Sequence, residues 1–177
     1  MEICQTTRLH IRQFQKSDAD YVWRQMNEPS WSVNIGDRGI RSLADAEHFI
    51  ESRLQAHFQE HGFGFYVLID KSSNETIGMC GLIQRDFLPT PDLGYALLES
   101  HWNQGFAYEA AVAVLQHAER HLNIRELRAI TLPTNAASIR LLGKLSFQME
   151  NAAFVTPDEA GLNLFVWRSC HQSQIPN

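Results

Sequence analysis

The chain has 177 residues, of which 44% are hydrophobic and 20% charged, and a formal net charge of −5. That is enough length for one domain, burying roughly 70% of its unfolded surface, and the acidic balance argues against a general nucleic-acid binder. No apolar run approaches the roughly 18 residues of a membrane span, residues 1–5 lack the features of a secretory signal, and Cys4, Cys80 and Cys170 form no CxxC pair, so the expectation is a reduced, cytoplasmic, single domain over residues 1–177.

Residues 8–14 alternate as a half-buried strand does. Ser17-x-x-Asp20 has the form of a capping box, and Ala19, Val22, Trp23 and Met26 behind it recur at helical spacing. Residues 27–40 carry Pro29, Gly36 and Gly39 around an isolated Trp31 and read as a loop, with Trp31 equally a substrate lid or a core anchor. Ser42-x-x-Asp45 opens a second helix with Ala46, Phe49, Ile50, Leu54 and Phe58 on one face, ending near Gly62. Residues 65–69 and 76–83 read as strands joined by a Ser72-Ser73-Asn74-Glu75 turn. Pro89 and Pro91 then break the chain before a strand over residues 92–98. From Ala107, through Ala110, Ala111, Val114, Leu115 and Ala118 to Leu122, one long apolar stripe predicts a helix. Residues 127–132 form a strand stopped by Pro133, and Thr134 or Asn135 caps a helix running to about Leu145. Two last strands, near 148–154 and 163–168, flank a turn at 157–161. The order β-α-α-β-β-β-α-β-α-β-β predicts a mixed sheet, largely antiparallel, with helices on its faces.

Two stretches could carry chemistry. In Trp102-Asn103-Gln104-Gly105-Phe106-Ala107-Tyr108-Glu109 a strand gives way to a turn and a long helix. The first amides of a helix have no intrahelical partner, and Gly105 and Ala107 let a bulky anion approach, so this is either a phosphate site or a plain strand-to-helix turn that needs a glycine. GxxxxGK[ST] and GxGxxG are both absent. In the second stretch, Asn135 and Ser138 place an amide and a hydroxyl on one edge of a first helical turn, which alone reads as a cap and a solvated polar residue. His57/His61 and His117/His121 have helical i, i+4 spacing but no HExxH and no evident third ligand, so they read as surface or groove histidines rather than metal ligands. There is no GxSxG hydrolase elbow.

Together and in this order the motifs resemble the GNAT acetyltransferases, and within them the branch that acetylates ribosomal-protein alanine and serine N-termini. The likeness runs from about Arg8 to Arg168. It is carried by Arg8-Leu9-x-Ile11-Arg12 with Asp18-Ala19-Asp20, by Ile77-Gly78-Met79-Cys80-Gly81-Leu82, and by Gly94-Tyr95-Ala96-Leu97. Trp102-x-x-Gly105-Phe106-Ala107-x-Glu109-Ala110 and Asn135-x-x-Ser138-x-Arg140-Leu141-Leu142-x-Lys144-Leu145-x-Phe147 complete it. The resemblance implies an α/β (α+β) GNAT fold: a mixed, mostly antiparallel seven-stranded sheet, splayed between strands 4 and 5, with about four helices.

It further implies acetyl-CoA as co-substrate and no metal. The pyrophosphate would lie on the amides of Asn103, Gln104, Gly105, Phe106 and Ala107. The pantetheine arm would run beside Tyr95, Ala96 and Leu97 like an added strand, with an amide there polarising the thioester carbonyl. Asn135 would hold the arm, and Ser138 would be the acid for the departing thiolate. Departures from the pattern are Trp102 in place of Gln or Arg, Leu142 where many relatives have a tyrosine acid, Gly143 for Glu and Ser146 for Gly. No Glu stands on the strand before Asn135, leaving Asp92 as the candidate base against its plain reading as a turn residue after Pro91. Asp86 and Glu109 are the other carboxylates near in sequence context, and Glu109 reads as one favoured by the helix dipole. The expected acceptor is a primary amine, foremost a protein α-amine such as that of a ribosomal protein. The alternatives are a small-molecule amine, or a non-catalytic acyl-CoA-binding module. No direct nucleic-acid or membrane partner is expected, and the chain would be a monomer or homodimer.

Overall fold

The computed structural model describes residues 1–157 and 161–169, so Cys170 and the centre of the 157–161 turn lie outside the described residues. The strands are β1 (Glu2–Gln5), β2 (Leu9–Gln13), β3 (Phe65–Asp70), β4 (Thr76–Ile83), β5 (Asp92–Leu97), β6 (Glu126–Thr131), β7 (Gln148–Phe154) and β8 (Leu162–Arg168). They form one sheet in the order β1-β2-β3-β4-β5-β6-β8-β7, antiparallel throughout except between β5 and β6. The helices are α1 (Ala19–Met26), α2 (Pro29–Asn34), α3 (Leu43–Phe49), α4 (Ala56–His61), α5 (Phe106–His121) and α6 (Ala136–Lys144), and a π-helical stretch, Ile50–Gln55, joins α3 to α4 in one rod.

Alternation along the strands divides the core in two. In β3, Tyr66 and Leu68 point to a cluster with Ala110, Ala111, Val114, Leu115 and Ala118 of α5 and Leu142 of α6. Val67 points to the other face, where Val22, Ala46, Ile50 and Leu54 cover the sheet. Period-2 strands and period-3.6 helices are each dictated locally, and this is why their buried faces follow the sequence pattern. No helix among the described residues is long and apolar enough to cross a membrane.

Four expectations need correction. Among the described residues the sheet has eight strands rather than seven, because Glu2–Gln5 pairs with β2 and packs Ile3 and Cys4 on the first cluster. Among the described residues the helical rods number five, against the expected number of about four, because the expected loop at 27–40 contains α2. Pro29 opens that helix, where its missing N–H is no loss. Trp31 is buried in the second cluster and so is a core anchor. The first cap is also shifted: a 3₁₀ turn, Lys16–Asp18, precedes α1, and Asp18 Oδ2, not Asp20, takes the Gln15 N–H at 2.7 Å. Arg12 grips the same carboxylate with both terminal nitrogens at 2.7 Å, so the buried Asp18 is satisfied. The Ser42 cap stands as expected, with Asp45 N–H donating to Ser42 Oγ at 3.1 Å.

At Gly81, β4 lies close against β3. A Cβ there would stand 2.1 Å from the Gly64 carbonyl oxygen and 2.5 Å from Phe65 Cα, both backbone atoms. Gly81→Ala is therefore expected to destabilise the fold by ~1–3 kcal/mol or more through overpacking. Urea denaturation showing an unchanged midpoint would contradict that close approach.

Candidate active site

β4 and β5 pair over six residues, from Gly78 opposite Leu97 to Ile83 opposite Asp92. β5 and β6 share only one pair, Asp92 opposite Arg128, with Arg128 N–H donating to the Pro91 carbonyl at 2.9 Å. Beyond Asp92 the two strands part. The Leu98 N–H donates to Ile77 O at 3.0 Å, so by antiparallel alternation Ala96 also turns its main chain towards β4, while Tyr95 and Leu97 turn theirs into the split. Ala96 thus pairs its N–H and C=O with Met79, while Tyr95 and Leu97 have edges on the split. Trp102 Nε1 (2.8 Å) and Gln25 Nε2 (3.4 Å) already donate to the Leu97 carbonyl.

The chain leaves β5 through a 3₁₀ turn, Glu99–His101, and reaches α5 through Trp102, Asn103, Gln104 and Gly105. Asn103 (φ 60°) and Gly105 (φ 82°) are left-handed, the conformation that Asn tolerates and Gly adopts freely. Gly105 caps α5 with no side-chain acceptor, so the amides of Phe106 and Ala107 have no partner in their own helix. Gln104 folds its side chain back to Ser100 O at 3.0 Å, and the Phe106 ring is buried. An anion at this end would meet amides and the positive end of a 16-residue helix.

α6 closes the split from the other strand. Asn135 Oδ1 accepts from Ser138 N–H at 3.0 Å, the cap read from its spacing, and neither the Asn135 amide nitrogen nor the Ser138 hydroxyl is used by that cap. The Tyr95 hydroxyl reaches across from β5 to donate to Ser138 O at 3.4 Å. Burial pushes that phenol up to about 12, so it stays protonated at neutral pH. Thus Tyr95 of β5 and the Asn135–Ser138 cap of α6 meet across the split, although they are about 40 positions apart in sequence.

The carboxylates fare differently. Asp92 is buried at the root of the split, where Arg85 Nε donates to its Oδ1 at 2.9 Å. Burial raises its carboxyl, and the Arg85 guanidinium opposes that rise. Glu109 is more than a dipole partner, because Thr6 and Arg8 both bind it from the β1–β2 turn. Burial pushes Glu109 up, but those bonds outweigh it and hold the carboxyl below its ordinary range. Arg8, Arg85, Gln25 and the indole of Trp102 were not singled out as site residues from the sequence. Only Arg8 and Trp102 carried a signal there, as members of the recognised motifs.

A family model described as an acetyltransferase (GNAT) domain matches residues 8–148, most of the chain. The chain belongs to the GNAT acetyltransferases. Among curated relatives of this GNAT enzyme, an uncharacterized N-acetyltransferase, p20, from Bacillus licheniformis is 29% identical over 151 residues, covering 85% of this chain and 84% of that protein. The [ribosomal protein uS5]-alanine N-acetyltransferase of Escherichia coli is 29% identical over 120 residues, 63% of this chain and 62% of that one. Among solved structures, the spermidine N-acetyltransferase of Vibrio cholerae, in complex with CoA and spermine, shares the fold. Its TM-score is 0.76 at 15% identity, with 93% of this chain and 97% of that chain covered. The split between β5 and β6 is thus the predicted splay between strands 4 and 5, renumbered by the additional β1.

Proposed function

We propose that this GNAT enzyme moves acetyl from acetyl-CoA to the N-terminal α-amine of a protein chain in the cytoplasm, ribosomal proteins being the favoured acceptors. The family assignment supports acetyl transfer, and the shape of the opening suits the donor. Tyr95 and Leu97 offer strand edges to an extended amide-bearing arm, and the loop from Asn103 to Ala107 offers backbone amides and a glycine to a pyrophosphate. The Asn135 amide nitrogen is free to donate to the arm. In the proposed step the amine nitrogen attacks the thioester carbonyl carbon, the C–S bond breaks, and the Ser138 hydroxyl gives its proton to the sulfur. The amine's own proton passes to solvent, which then returns a proton to Ser138.

One observation carries the choice of acceptor: Asp92, the candidate base, is buried and bonded to Arg85. A site with its carboxylate so engaged suits an amine that is easily neutralised. At pH 7 an α-amine of pKa ~7.7–8.0 costs about 1 kcal/mol to deprotonate, and a lysine near 10.4 about 4.6 kcal/mol. The sequence likeness to an alanine N-acetyltransferase supports the same choice.

Peptides with a free Ala or Ser N-terminus are expected to exceed lysine side chains and spermidine in kcat/KM, measured by thiol release. The kcat/KM for the peptide should rise towards pH 8 as the α-amine loses its proton. Spermidine outrunning every peptide would establish the small-amine reading instead. Binding of acetyl-CoA without transfer to any acceptor of a broad panel would mark a binding module.

A further inference from the structure

Arg8 stands 96 positions before Gln104, yet its side chain lies along the whole entrance of α5. Its Nε donates to Glu109 Oε2 at 2.6 Å, its main-chain N–H to Glu109 Oε1 at 2.8 Å, and its Nη1 to the Gln104 carbonyl at 2.9 Å. The guanidinium carbon sits 4.2 Å from the centroid of the Phe106 ring. Thr6 Oγ1 adds a bond to Glu109 Oε1 at 2.6 Å, which fixes the carboxylate that holds Arg8. A Cβ on Gly105 would be 3.4 Å from Nη2.

Two physical consequences follow. In a trans peptide the C=O and the next N–H point in opposite directions. Binding the Gln104 carbonyl to Arg8 therefore aims the Gly105 N–H away from Arg8. Glu109 also places a negative charge in the first turn of α5, which is favourable for the helix alone but repels a phosphate bound there. Arg8 balances that charge where it stands.

We propose that Arg8, held by Glu109 and Thr6, is a positioning residue for donor recognition: it orients the Gln104–Gly105 peptide and offsets Glu109, so that the enzyme favours a phosphate-bearing thioester. This rests on assigning the pyrophosphate to the 103–107 loop. Its mark is selectivity between acetyl-CoA and acetyl-pantetheine, which carries the same thioester without the phosphates.

The test is steady-state kinetics with both donors on the full chain and on Arg8→Ala and Arg8→Lys. Arg8→Ala should lower the ratio of kcat/KM for acetyl-CoA to kcat/KM for acetyl-pantetheine by ~10–100-fold, mostly through KM for acetyl-CoA. Arg8→Lys, which keeps charge but not the fork, should fall between wild type and Arg8→Ala. Should Arg8→Ala not fold, Arg8→Lys must still lower the ratio. Equal losses on both donors would overturn the inference in favour of a purely structural pair. An unchanged ratio while Gly105→Asp still abolishes acetyl-CoA binding would overturn it alone. If Gly105→Asp leaves acetyl-CoA binding intact, the loop assignment itself fails.

Discussion

Gly105→Asp is expected to abolish the rise in melting temperature that acetyl-CoA gives the wild-type protein. A ligand that binds only the folded state raises its stability by mass action, so loss of the shift reads loss of binding. The substitution acts in two ways. Gly105 sits at φ 82°, where an L side chain is strained by ~1–2 kcal/mol. The new carboxylate would also lie close to Arg8, bringing a negative charge to amides that would otherwise meet phosphate. Gly105→Ala separates the two, since it imposes the strain without the charge and should keep a reduced shift. A folded Gly105→Asp protein with an undiminished shift would remove the loop from the cofactor site.

Ser138→Ala is expected to lower kcat by ~10²–10⁴ with little change in acetyl-CoA affinity, as loss of a proton donor to the leaving thiolate requires. The substitution is clean because the helix cap uses the Ser138 backbone N–H, which donates to Asn135, and leaves the hydroxyl out. Stability should therefore stay near that of wild type, and circular dichroism melts check it. An unchanged kcat would return Ser138 to the role of a helix residue. Asp92→Asn should have a smaller effect on kcat, because the Arg85 bond already occupies the carboxylate that a base would use.

The parts of this molecule that follow from neighbours three or four residues away were legible in the sequence. The α5 stripe is buried at each of Ala110, Ala111, Val114, Leu115 and Ala118, because a helix presents residues at that spacing on one face wherever it docks. The Ser42 cap, the Asn135 cap and the left-handed Gly62 that ends α4 are of the same kind, since each satisfies backbone groups within one turn. The motifs also named Tyr95 and Ser138, which the fold brings within hydrogen-bond distance across the split.

What lay beyond the sequence depends on groups that meet only after the chain folds. A short strand such as Glu2–Gln5 has too few residues for a periodic signal, and its existence is decided by the edge of β2 that receives it. Residue type alone left Asp92 open to either a base or a turn residue, until burial and Arg85 took its carboxylate. Glu109 could be read as a helix-dipole partner because its real partners lie 101 and 103 positions away, and no local pattern names them. The split itself is tertiary: whether Tyr95 turns its amide to β4 or to the opening is set by register, and a slip of one residue would reverse every such choice. Local sequence thus determined which elements form and which faces they bury, while assembly of the sheet and its helices decided which polar groups face each other, because those partners are far apart along the chain.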